Sequence, residues 1–121
     1  MSNLPNGSRW QIALINIYDC NHEFLRDPEY IKEFAKKICE VIDMQRYWEA
    51  LLKRFWTWDL EGYSMIQFIE TSSITVHLDE FGNRWFIDIF SCKEFDSQKA
   101  EEFCKQYFAW KSSKCQTIHR I

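Results

Sequence analysis

The stretch Thr71-Ser72-Ser73-Ile74-Thr75-Val76-His77-Leu78, followed after Phe81-Gly82-Asn83 by Arg84-Trp85-Phe86-Ile87-Asp88-Ile89-Phe90-Ser91-Cys92, reads as two short strands joined by a turn. Apolar and polar residues alternate with a period of two over 73–78 and again over 84–91, and Gly82-Asn83 is a turn signal. Successive side chains of an extended chain point to opposite faces, so Ile74, Val76 and Leu78 share one face while Ser73, Thr75 and His77 share the other. In the second strand Trp85, Ile87 and Ile89 form one row, and Phe86, Asp88, Phe90 and Cys92 the opposite one. Each strand thus has a wholly apolar side and a side that carries polar groups.

Working outward, residues 63–69 give a further strand pattern, and 10–18, rich in isoleucine and leucine and closed by Asp19-Cys20-Asn21, reads as a first, mostly buried strand. Asp27 caps a helix with Pro28 in its first position, and Ile31, Phe34, Ala35, Ile38 and Ile42 recur on one face through residue 43. A second helix is predicted over 97–110 with Ala100, Phe103, Cys104 and Phe108 inward, and residues 115–121 add an edge strand. Residues 47–58 are ambiguous: Trp48, Leu51, Leu52, Phe55 and Trp56 fit helical spacing, while the aromatic content suits a strand. Adjacent strands with two helices predict an α+β two-layer sandwich, a mainly antiparallel sheet covered on one face.

With 121 residues, 46% hydrophobic and 17% aromatic, the chain can build one core, so 1–121 is read as a single domain without repeats or linkers. The formal charge of −3 leaves no basic footprint, which argues against nucleic acid and anionic membrane as partners. Residues 1–9 are polar and carry Pro5, Asn6 and Gly7, unlike a signal peptide or a membrane span, so the expected location is cytoplasmic. Five cysteines without a Cys-x-x-Cys pair point to reduced thiols rather than a disulfide framework, and the spacing of Cys20 and His22 is a poor metal signature, so no metal is expected.

Taken singly, each polar residue of the hairpin has an ordinary explanation. A strand histidine is usually a surface group, a cysteine after Ile-Phe a small core hydrophobe, and Ser72 and Ser73 turn residues. Together they resemble a known family, the prokaryotic S-adenosylmethionine decarboxylases, whose pattern is Glu-Ser-His, an alternating apolar and Ser/Thr run to a second His, then Asp-apolar-Phe-Thr-Cys after a turn. Ser72 matches the self-processing serine, His77 the second histidine and Cys92 the cysteine, with no gap between them. Ser64 in Gly62-Tyr63-Ser64 matches a further family serine, Tyr18-Asp19-Cys20 resembles the end of the family's first strand, and Trp58 matches the aromatic residue that offers a flat surface to adenine. The family has Glu and His where this chain has Thr71 and Ser73, and an acid for the ribose hydroxyls where it has Phe81.

The resemblance implies a pyruvoyl-dependent enzyme. The Ser72 hydroxyl attacks the Thr71 carbonyl, the acyl group moves from nitrogen to oxygen, and elimination cuts the chain and leaves a pyruvoyl group derived from Ser72. The residue matching His77 removes the α-proton, with Ser64 assisting. The pyruvoyl ketone then forms a Schiff base with the amine of S-adenosylmethionine and accepts the electrons released with carbon dioxide, and Cys92 reprotonates the product on the way to spermidine. On one strand Ser72 and His77 lie roughly 16 Å apart and face opposite ways, whereas proton transfer needs contact near ~3 Å. A two-fold homodimer, in which Ser72 and Cys92 of one copy meet Ser64 and His77 of the other, satisfies both, and a strand break at Ser72 is the alternative. Two other readings stand beside the lead: a pyruvoyl decarboxylase of another amine such as ornithine or arginine, suggested by Phe81, and an uncut, non-catalytic relative that keeps the fold.

Overall fold

The computed structural model describes residues 10–108 and 111–120; the N-terminal stretch 1–9, residues 109–110 at the end of the expected second helix, and residue 121 lie outside the described residues. The element order is β1 (Trp10–Tyr18), α1 (His22–Leu25), α2 (Pro28–Val41), β2 (Leu51–Phe55), a 3-10 turn (Trp58–Leu60), β3 (Gly62–Ile69), β4 (Ser72–Asp79), β5 (Arg84–Ser91), α3 (Ser97–Tyr107) and β6 (Ser112–Arg120). The strands form one six-stranded sheet in the order β2-β3-β4-β5-β1-β6, with every neighbouring pair antiparallel. The expected α+β layering is therefore present.

Alternation decides which face is covered. Ile74, Val76, Trp85, Ile87, Ile89, Ala13, Ile15 and Ile17 are buried and pack with Ile31, Phe34, Ala35 and Ile38 of α2 and with Ala100 and Cys104 of α3. Each large apolar side chain fully buried here contributes roughly 1.5–3 kcal/mol of transfer free energy. Phe34 meets Trp85 edge-on at 4.8 Å between ring centroids, and Trp85 lies 3.8 Å from Phe108. The two long helices are joined at their ends by reciprocal hydrogen bonds: Tyr30 Oη donates to the Tyr107 carbonyl at 2.5 Å and Tyr107 Oη to the Tyr30 carbonyl at 2.7 Å.

Helix boundaries follow from capping. Asp27 accepts hydrogen bonds from the Glu29 and Tyr30 amides, with Pro28 in the first turn as expected. At the other end α2 stops at Val41 rather than at residue 43. Asp43 turns left-handed at φ 55°, and the Met44 amide donates to the Cys39 carbonyl at 2.8 Å, a Schellman closure. A third, four-residue helix, α1, follows the Asp19-Cys20-Asn21 turn, where only a turn was expected; Asn21 caps it by accepting from the Glu23 amide.

The ambiguous segment resolves as an edge strand. β2 pairs with β3 in the register Leu51↔Ile66 to Phe55↔Gly62, and Arg46 forms an isolated bridge to Ile69. Gln67, fully buried, stitches this region together. Its Nε2 donates to the Trp48 and Phe68 carbonyls, both at 2.9 Å, and its Oε1 accepts from Arg46 at 3.3 Å. The C-terminal strand β6 forms the opposite edge beside β1, beginning three residues earlier than expected.

Candidate active site

β3 and β4 place the first pair of site residues. Ser64 lies directly opposite His77 in the ladder, so both side chains emerge on the same face, and Ser64 Oγ is 2.9 Å from His77 Nδ1. They open into a cavity of about 420 Å³ with Phe55, Leu60, Gly62, Tyr63 and Phe86 among its walls. At its rim Arg84 Nε donates to Asp79 Oδ2 at 2.7 Å, and the Gly82 amide to Asp79 Oδ1 at 3.1 Å, so the carboxylate is already engaged. Trp58 does not wall this cavity; its neighbours Thr57 and Leu60 do, and its ring stands 88% exposed beside them.

The second group lies at the other end of β4. Ile69 and Ser72 are the last ladder pair, leaving Glu70 and Thr71 as a two-residue connection. Thr71 takes φ 58°, a left-handed position that tight turns normally give to glycine or asparagine, and a β-branched residue there is strained by about 1–3 kcal/mol. Thr71 Oγ1 is 2.6 Å from the Glu70 carbonyl oxygen and 2.9 Å from Cys92 Sγ. The Cys92 amide donates to Ser72 Oγ at 3.1 Å. The hydroxyls on both sides of the Thr71–Ser72 bond are thus held by one residue. A cavity of about 650 Å³ adjoins this junction, with Asp43, Arg46, Tyr47, Glu70 and Lys93 around it.

β4 runs unbroken from Ser72 to Asp79, so the two groups are separated by five residues of extended chain, roughly 16 Å. Ser72 is buried with the core side and His77 is exposed on the other. The predicted residues thus fall into two pairs, Ser64 with His77 and Ser72 with Cys92, and one chain does not bring the pairs together. Four other thiols are held protonated. Burial pushes Cys20 up to about 12 and Cys39 up to about 11, and raises Cys104 well above the ordinary thiol value. Cys115 is raised by burial first and Glu101 second. All five cysteines are free of disulfides, and among the described residues no group of three or more His, Cys, Asp or Glu is arranged to hold a metal ion.

Sequence reading missed Thr71 as a contact of Cys92, and it missed the cavity walls on β2. Glu80 is buried and binds Arg54 through both guanidinium nitrogens, at 2.9 Å on Nη2, with Arg26 Nε 3.4 Å away. Phe81, which matches the family acid, is 77% exposed. Glu80 stands one position before Phe81, and its partner Arg54 lies in the segment that the sequence leaves ambiguous.

The six-stranded antiparallel sheet with helices packed on one face defines an α+β two-layer domain, with Ser64 on β3, Ser72 and His77 on β4 and Cys92 just after β5. Its fold is similar to the crystal structure of the adenosylmethionine decarboxylase from Aquifex aeolicus VF5, with a TM-score of 0.78 and 14% identity over 93% of this chain and 91% of that one. A family profile described as S-adenosylmethionine decarboxylase matches residues 11–121. The S-adenosylmethionine decarboxylase proenzyme of Clostridium botulinum strain Loch Maree is 31% identical over 108 residues, covering 88% of this chain and 90% of the relative; that of strain Hall is 30% identical over the same span. The chain belongs to the S-adenosylmethionine decarboxylase family.

Proposed function

We propose that this chain is itself an S-adenosylmethionine decarboxylase that cuts its own Thr71–Ser72 bond, carries a pyruvoyl group made from Ser72, and works as a cytoplasmic homodimer supplying decarboxylated S-adenosylmethionine for spermidine synthesis. The observation that carries the reading is the division of Ser64, His77, Ser72 and Cys92 into two pairs at opposite ends of one strand. Each pair is half of the chemistry, and a second copy supplies the other half. The face that carries His77 is rich in exposed apolar side chains, including Ile66 and Phe68, which suits burial against a partner sheet.

The residues at the junction fit conversion to a pyruvoyl group: a strained Thr71 precedes a serine whose hydroxyl already accepts a hydrogen bond. Ser72 Oγ attacks the Thr71 carbonyl carbon; the C–O bond forms, the C–N bond breaks, and an ester and a free amine result. The partner's imidazole at position 77, hydrogen-bonded to Ser64 Oγ, takes the α-proton of residue 72. The Cβ–O bond then breaks and Thr71 departs as a carboxylate; water replaces the nitrogen at residue 72, which leaves as ammonia. Once formed, the group supplies an electron sink for loss of carbon dioxide. Cys92 Sγ, at the same junction, holds the proton destined for the product carbon, and the Trp58 ring, exposed beside the Ser64–His77 cavity rather than in its wall, offers a face to the purine.

Intact mass after expression tests this directly. The expected result is two fragments split before Ser72, the C-terminal one lighter by the loss of ammonia, with Ser72→Ala yielding only whole chain. A single full-length mass for the unaltered chain under processing conditions would overturn the reading in favour of an uncut relative. Because Glu80 is committed to Arg54 and Phe81 is apolar, carbon dioxide release from carboxyl-labelled S-adenosylmethionine is to be compared with ornithine and arginine. Preference for either amino acid would reassign the substrate.

A further inference from the structure

Asp19, Asp43, Trp48, Trp58, Thr71 and Asn83 take positive φ among the described residues, and of these Thr71 alone is β-branched. Aspartate and asparagine tolerate that region, whereas a branched β-carbon crowds the backbone there. Thr71 is exposed, so no packing demand of the core selects it. Asparagine or glycine would close the same turn without the strain.

The chain on either side keeps the turn from relaxing. Ile69 and Ser72, each 8% exposed, close the ladder between β3 and β4, and Phe68 pairs with Ser73 behind them. The Cys92 amide donates to Ser72 Oγ at 3.1 Å, which ties one end of the turn to the segment leaving β5. Arg46 bridges to Ile69 and the Tyr47 amide donates to the Phe68 carbonyl at 2.9 Å, which tie the other end to the chain after α2. Only Glu70 and Thr71 lie between these anchors, so the left-handed angle persists because its surroundings over-determine it.

Strain speeds a step only where the step releases it. In the acyl shift the Ser72 Oγ–C bond forms at the Thr71 carbonyl carbon, the C–N bond breaks, and the hydroxyl proton ends on the freed amine, so nothing is consumed. The route from that carbon to Ser72 Cα then runs through Oγ and Cβ. It has gained a bond and lost the planar peptide that fixed the turn, so Thr71 can leave the left-handed region while both ladder ends stay in place. In a relaxed chain the same shift trades a resonance-stabilised amide for an ester and runs uphill.

We propose that Thr71 is a positioning residue for the cut: its left-handed backbone, pinned between the anchored ends of β3 and β4, stores strain that the acyl shift to Ser72 Oγ releases, and this drives the chain toward the ester. The inference rests on the self-processing reading above. The threonine side chain acts by straining the bond, not by touching the reacting atoms.

The test is the rate of cutting after pulse-labelled cell-free synthesis, read on denaturing gels for the unaltered chain, Thr71→Asn, Thr71→Ser and Thr71→Val, beside thermal melts of uncut Ser72→Ala with and without Thr71→Asn. Thr71→Asn is expected to cut about tenfold more slowly. In the uncut background the same change is expected to raise Tm by about 5 °C, the released strain read as stability. Thr71→Val, which keeps the branch, is expected to cut faster than Thr71→Ser, which keeps the hydroxyl that reaches Glu70 and Cys92. The reverse order overturns the inference, because the hydroxyl would then be the active feature. Faster cutting in Thr71→Asn overturns it as well, being the mark of relieved crowding at the carbonyl, and so does slower cutting without added stability. An unaltered chain that stays whole overturns the self-processing reading and the inference with it, whereas cutting indifferent to residue 71 overturns the inference alone.

Discussion

At Gly62 the backbone passes so close to β4 that a β-carbon would lie 2.0 Å from the Leu78 carbonyl oxygen, and the residue also takes φ 154°. The neighbouring atom is backbone and cannot swing away. Gly62→Ala is expected to cost roughly 2–3 kcal/mol, about 10 °C in Tm, and a thermal melt within 2 °C of the parent would contradict it. Gly62 also enters the wall beside Ser64, so the same variant misplaces the Ser64–His77 pair. At Cys92 a different split is expected. Cys92→Ala keeps the backbone amide that reaches Ser72 Oγ, so fragments still form, while turnover falls by at least about tenfold for want of the acid. Normal turnover in that variant would remove Cys92 from the reaction. The grouping of Ser64 with His77 comes from the family resemblance, and the register that sets them opposite each other comes from the two-residue connection at Glu70 and Thr71. The contact of Thr71 with Cys92 has neither source, because it depends on a left-handed φ that a threonine gives no local reason to expect.

β2 shows what periodicity leaves undecided. Leu51, Lys53 and Phe55 are exposed while Leu52 and Arg54 are only half covered, so an edge strand with apolar groups on both sides imitates the spacing of a helix. What holds it is long-range. Arg54 binds buried Glu80 after β4, approaches Glu61, and is bracketed by the Trp56 and Tyr63 rings at 4.4 and 4.8 Å. Hydrogen bonding to Glu80 is the main reason that the Arg54 pKa is raised. Removing one partner strands a buried charge, so Glu80→Ala is expected to cost about 3 kcal/mol or more. Replacing both, as Arg54→Met with Glu80→Leu, should recover much of that loss. Urea midpoints for the single and double variants decide the matter, and strictly additive losses would show that the two residues do not act as a pair. By contrast α2 was legible end to end apart from two residues, since Asp27, Pro28 and an apolar stripe act locally.

For the whole molecule, the buried thiols and two half-buried phenols set an alkaline limit. The folded state binds the Cys20 and Cys39 protons more tightly than the unfolded chain does, so their stabilisation is complete below pH 9.0. It is lost as pH rises through about 11 for Cys39 and about 12 for Cys20. Tyr30 and Tyr107, both raised above 10.0 mainly by burial, act in the same direction. Stability to urea is therefore expected to be flat from pH 7 to 9 and to fall above it, with Cys20→Ala and Cys39→Ala flattening the decline. A decline equally steep in the double variant would assign it to Cys104, Cys115 and the tyrosines instead.

Assembly is tested by mixing chains that are each incomplete. A Ser72→Ala chain keeps Ser64 and His77, and a His77→Ala chain keeps Ser72 and Cys92, so neither forms a working site with its own kind. If the two ends of β4 meet only across a dimer, a mixed dimer contains one junction with an intact Ser72 facing an intact imidazole. Refolding the two together should therefore cut the His77→Ala chains and leave the Ser72→Ala chains whole. At equal input about half the dimers are mixed, so up to about half of the His77→Ala chains are converted in the first round. The pattern of which chain is cut carries the inference, because it names the copy that supplies each half. Cutting of His77→Ala chains alone, without their partner, would put the base elsewhere. A mixture that forms dimers by sedimentation but shows no cutting would mean that the two half-sites do not meet at that interface.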